Sequence, residues 1–117
     1  MKKQTMTVRV FGFYLIVVGL AISVAPNIFL NLFGIPSTTE VWVRGIGLFS
    51  AVVGWYYVEA AKNNLTKFYE TTITGRVAFA TGLIIFVLTN IGPPQLLIFA
   101  AIDLLGAWWT KAAMKNK

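Results

Sequence analysis

Two long stretches of this chain carry no ionised side chain. No Asp, Glu, Lys or Arg occurs from Val10 to Thr39, or from Val77 to Ile102. Each stretch exceeds the roughly 20 apolar residues that carry a helix across a bilayer. Over the whole 117 residues, 57% are hydrophobic and 12% charged, about half the charged share of a soluble domain. A soluble chain this short exposes much of its surface and needs more charge than that. The surface must therefore face lipid, and one all-α domain is predicted: an integral membrane four-helix bundle.

The spans are placed at about 8–25, 41–61, 72–91 and 94–112. Pro93-Pro94 divides the second long run, since proline lacks an amide donor and restricts the residue before it. A tight, charge-free hairpin, Ile91-Gly92-Pro93-Pro94, follows. Between the first two spans, Pro26 opens a segment in which Gly34 closes a helix in the left-handed conformation and Pro36 blocks a restart. This segment predicts a short interfacial helix between the first and second spans, with Asn27, Asn31 and Gly34 on one stripe. Lys2 and Lys3 ahead of an apolar run, with Ser23-Val24-Ala25 behind it, resemble a signal peptide. Pro26 after that site and the continuing apolar run favour a retained helix.

Charge sets the expected orientation. Lys2, Lys3 and Arg9 lie at the first span's start, Lys62 and Lys67 between the second and third, and Lys111, Lys115 and Lys117 after the fourth. The remaining loops hold only Glu40, with Arg44 just inside its helix. By the positive-inside rule both termini and the middle loop are cytoplasmic, in a cell inner membrane. Trp42, Tyr69, Trp108 and Trp109 fit the aromatic belts. The net charge of +6 flanks the spans, so it reads as lipid-headgroup contact and not as a nucleic-acid surface.

A faint internal echo is present. Val8-Arg9-x-x-Gly12 followed by Val17-Val18-Gly19 recurs 35 residues on as Val43-Arg44-x-x-Gly47 and Val52-Val53-Gly54. Shared composition and duplication both account for it. The glycines, with Ser50, Ala51, Ala78 and Gly82, form small-residue faces of the kind that let helices approach closely in lipid, within one bundle or between copies.

Asp103 is the most informative single residue. It falls near the middle of its span, where an aspartate costs about 2.5–3.5 kcal/mol on insertion scales. A helix places it with Phe99, Ala100, Gly106, Ala107 and Thr110, a small and partly polar stripe, and leaves Leu97, Leu104, Leu105 and Trp108 for lipid. Arg76 and Arg44 are its candidate partners; axial bookkeeping slightly favours Arg76. A buried ion pair, a ligand- or proton-binding carboxylate and a tolerated neutral acid are the readings open. Trp55, Tyr56 and Tyr57 could line an aromatic pocket or simply pack and anchor.

Several chemistries are set aside. There is no Cys and no His, which removes thiol chemistry and most zinc and haem ligation. No phosphate-cradling glycine loop or nucleophile elbow occurs. No cofactor, no metal site and no catalysis by this chain alone are expected.

Arg44-x-x-Gly47 opening the second span, Arg76 in the third and Asp103-x-x-Gly106-Ala107-x-Trp109-Thr110 in the fourth resemble the DoxX-like group of small bacterial membrane proteins. The resemblance implies a four-helix bundle, in a group with some members associated with respiratory or thiosulfate-oxidising complexes, and transfers no catalytic residue. Four short spans also resemble the small multidrug-resistance transporters, but the essential acid of their first helix has no counterpart here. The function expected is that of an accessory or structural subunit, or a binder of lipid or another apolar molecule. Its partners would be membrane lipids, other membrane subunits or further copies. The alternatives are a homo-oligomeric transporter or channel using Asp103, and a membrane-enzyme component with partner-supplied chemistry.

Overall fold

The structure, a computed structural model, describes residues 3–115; Lys2 and Lys117, two of the charges used for orientation, lie outside them. Five helices follow one another: α1 (Lys3–Val24), α2 (Pro26–Leu32), α3 (Val41–Lys62), α4 (Thr66–Leu88) and α5 (Leu96–Lys115). The four long ones are each long and apolar enough to cross a membrane, which makes the chain a multi-pass membrane protein by length and composition. Their outer faces are apolar, with Val17, Phe49, Leu105 and Trp108 all largely exposed.

The helices overrun the predicted spans mainly at the end that holds both termini. α1 begins at Lys3 and not near residue 8, α4 at Thr66 and not near 72, and α5 continues to Lys115. Hydropathy marks where a helix meets lipid, whereas backbone bonding continues through the polar turns beyond it.

Three helices stop by the same device. Gly34, Asn64 and Asn90 take positive φ of 72°, 53° and 62°. Around each, the next residue's amide reaches back five positions and its own amide three: Ile35 to Leu30 and Gly34 to Asn31, Leu65 to Ala60 and Asn64 to Ala61, Ile91 to Phe86 and Asn90 to Val87. These bonds satisfy carbonyls that a helix end would otherwise leave bare. Glycine, and asparagine to a lesser degree, tolerate that backbone.

The bundle is two helix pairs. α1 packs on α3 and α4 on α5, with α1 against α5 as the main joint between them; α3 and α4 barely touch. The α1–α3 crossing is the tightest. A Cβ added to Gly12 would stand 2.8 Å from the Gly54 carbonyl oxygen, and one on Gly54 would stand 2.5 Å from that of Gly12. Gly19 and Gly47 meet in the same reciprocal way. Such approach brings Cα–H groups onto facing carbonyls, a weak but repeated attraction in lipid. The sequence echo equates Gly12 with Gly47 and Gly19 with Gly54, so these crossed contacts are those of an antiparallel pair about a local two-fold axis. Ser50, the echo of Leu15, donates to the Leu15 carbonyl at 3.2 Å near that axis.

α2 caps the opposite end of the bundle. Phe29 stacks on Phe99 of α5 at 6.0 Å, and Phe33 packs tilted against Phe29 at 5.1 Å and Phe99 at 5.0 Å. Asn27 Oδ1 accepts the Thr38 amide at 2.8 Å, and Gln95 Nε2 donates to the Gly34 carbonyl at 3.2 Å. Ile28 and Leu32 remain exposed, as a helix lying in a membrane interface would keep them.

Candidate functional site

The interior polar groups gather where α1, α4 and α5 meet. Arg76 and Thr72 stand one turn apart on α4 and so share a face. Asp103 and Thr110, seven residues apart on α5, do likewise. Thr7 brings a third hydroxyl from α1. All five side chains are buried, Thr7 and Thr110 completely.

Arg76 is the hub. Its Nε donates to the Thr72 carbonyl at 3.2 Å, and its Nη2 donates to Thr72 Oγ1 at 2.9 Å and Thr110 Oγ1 at 3.0 Å. Thr110 Oγ1 lies 2.9 Å from Thr7 Oγ1, and Thr7 donates to the Gln4 carbonyl at 2.7 Å. Thr7 is the donor in both contacts, so its single proton is shared between Thr110 Oγ1 and the Gln4 carbonyl, and Thr110 accepts from Arg76 and Thr7 alike. The guanidinium also lies over the rings of Phe11 (4.7 Å) and Tyr57 (5.8 Å), a cation–π arrangement that strengthens when desolvated. One side chain on α4 thus grips α1, α3 and α5 together. Gly106 makes room for it, since a Cβ there would stand 3.3 Å from Nη1 and 2.7 Å from Phe11. Nη1 itself is buried without an acceptor among the described residues.

The expected ion pair with Asp103 does not form in this arrangement. Arg76 directs Nε and Nη2 to Thr72 and Thr110, closer to the termini, and its Nη1 does not reach the carboxylate. Arg44 is at the far end, where its Nη1 donates to the carbonyls of Ser23 at 2.8 Å and Val24 at 3.1 Å. Those are terminal carbonyls of α1, the natural targets of a cation at a helix C-terminus. No donor among the described residues reaches the Asp103 carboxylate, which faces a cavity.

That cavity, of about 360 Å³, separates the two helix pairs. Phe11 and Leu15 of α1 and Asp103 of α5 form its back, together with Arg76. Its flanks are Ile46, Phe49, Val53 and Tyr57 on α3 and Gly75 and Phe79 on α4. Ile46, Phe49 and Phe79 are 65, 69 and 57% exposed, so the mouth opens sideways between α3 and α4, toward lipid. It exists because those two helices barely touch.

The predicted aromatic trio is not assembled. Successive residues on a helix point about 100° apart, and only Tyr57 turns inward. Trp55 and Tyr56 pack tilted against each other at 5.7 Å on the outer surface. The threonine chain is unforeseen from sequence. Its signal was the run Gln4, Thr5, Thr7 and Val8 on one face ahead of the apolar stretch, and Thr72 four residues before Arg76.

Compared with known protein families, with curated proteins and with solved structures, the chain matches none. No group of three or more acidic, Cys or His side chains that could hold a metal occurs among the described residues.

Proposed function

We propose that the chain is a membrane-embedded binding protein, which holds a lipid-like or other apolar molecule in the cleft between α3 and α4, alone or as the accessory subunit of a larger membrane assembly. The observation that carries this reading is the sideways mouth: a largely apolar cavity that reaches the inner face of the bundle from the lipid side. Ligand sites are concave and mostly apolar with a few placed polar groups, and Asp103 and Arg76 are the charged groups here, beside the hydroxyl-bearing Ser50 and Tyr57. The DoxX-like resemblance offers a precedent for the accessory role. Arg9, Lys62, Lys67, Lys111 and Lys115 cluster toward the end that holds both termini, which supports a cytoplasmic placement of that end.

The test is to purify the full chain in mild detergent and record its mass by native mass spectrometry. A discrete bound molecule or a foreign subunit is the expected result. A bare homo-oligomer that takes up protons or cations in vesicles, and loses that uptake on Asp103→Asn, would replace this reading with transport.

A further inference from the structure

We infer that the cleft selects an uncharged amphiphile with a protic head: the head's O–H donates to the Asp103 carboxylate while its hydrocarbon chain lies along α3 toward the bilayer. This rests on the binding role proposed above and specifies its ligand.

Three observations converge on that class. The first is charge. Asp103 is 6% exposed and faces the cavity without a donor among the described residues. A carboxylate that opens onto a largely apolar cavity with no protein donor is costly once that cavity is filled, so the molecule that fills it gains most by bringing a donor. Arg76, which lines the same cavity, already supplies the compensating positive charge. A cationic head would add a second charge of its sign to a low-dielectric site, and an anionic head would meet the aspartate. A neutral O–H incurs neither penalty.

The second is size. The lining on α3 runs from Ile46 to Tyr57, about 16 Å along the helix. An extended hydrocarbon chain fits along such a groove, and a cavity of about 360 Å³ is within the range of small-ligand pockets. The third is access. Gly75 lies at the mouth, and a Cβ placed on it meets nothing within 4 Å, so the α4 side of the mouth is open where any larger residue would narrow it.

Long-chain alcohols and protonated fatty acids share this chemistry, and their relative retention names the source. The full chain in phosphatidylcholine nanodiscs would be offered 1-hexadecanol, palmitic acid, hexadecane and hexadecylamine in turn, with occupancy read by native mass spectrometry. The expected result is that the alcohol or the acid is retained at least about tenfold better than hexadecane, the factor carried by one hydrogen bond to a charged group. Asp103→Leu, of nearly the same shape, should abolish that preference but keep hexadecane retention. Gly75→Leu should expel every probe without loss of helicity. If Asp103→Leu does not fold, the wild-type ratio decides alone. Equal retention of alcohol, acid and hexadecane, all expelled by Gly75→Leu, overturns the protic head and leaves the apolar binder. Preference for hexadecylamine overturns the uncharged ligand. Retention of no probe, or retention unaffected by Gly75→Leu, overturns the cleft and the proposed function together.

Discussion

Replacing Thr110 with valine isolates the polar joint between the helix pairs. Valine keeps the branched shape, so packing at this completely buried site survives and only the hydroxyl is lost. Two bonds go with it, the one from Arg76 Nη2 at 3.0 Å and the one shared with Thr7 at 2.9 Å. A hydrogen bond to a charged group contributes about 1.5–3 kcal/mol in proteins, whereas interhelical bonds within membranes average about 0.6 kcal/mol and reach about 1.7. Arg76 Nη2 retains Thr72 Oγ1 at 2.9 Å, which trims the loss further. The net expectation is a destabilisation of about 1.5 kcal/mol, near the top of the membrane range because the donor is charged. The assay is loss of helicity under denaturing detergent titration in mixed micelles. Thr81→Val and Thr89→Val are the controls, since those exposed hydroxyls bond their own helix's carbonyls at 2.8 Å; each should change stability by less than about 0.5 kcal/mol. If Thr110→Val costs no more than the controls, the hydrogen-bonded hub does not hold the pairs together.

Other substitutions probe the remaining joints. Gly47→Val would drive a Cβ to 2.5 Å from the Gly19 carbonyl oxygen and 2.7 Å from the Ser23 amide, so α1 and α3 must part; the same titration should show a loss of several kcal/mol, within the range of about 1–3 kcal/mol or more for overpacking. Gly82→Ala, where a Cβ meets nothing within 4 Å, should instead stabilise α4 by up to about 1 kcal/mol; a loss there would refute the packing described. Arg44→Met removes the donor that ties α3 to the terminal carbonyls of α1 at 2.8 and 3.1 Å. It should cost about 1 kcal/mol and speed amide exchange over residues that follow the α1 terminus, measured by hydrogen–deuterium exchange.

The four long helices and the short α2 were legible because charge-free runs, prolines and Gly34 act locally, through lipid solubility and backbone geometry. The inner stripe of α5 was legible for a similar reason, since Asp103 and Thr110 share a face with small residues while leucines occupy the other. The partners of the buried charges were not. Axial height along the bilayer can be counted from sequence, but rotation of one helix against its neighbour cannot. Arg76 turned to Thr72 and Thr110, and Arg44 turned to the end of α1. The cleft was also out of reach, because it comes from the contact that α3 and α4 fail to make. Asn64 closes α3 in a left-handed turn, which asparagine tolerates.

The most direct test of a specific occupant is photo-crosslinking in native membranes, with benzoylphenylalanine replacing Phe49, Phe79 or Phe13 in separate variants. Phe49 and Phe79 line the cleft, whereas Phe13, 47% exposed, lies outside it. The account predicts one discrete adduct mass shared by positions 49 and 79, and a spread of bulk lipid masses at 13. The same spread at all three positions would show that the cleft holds only bulk lipid, and would contradict the account.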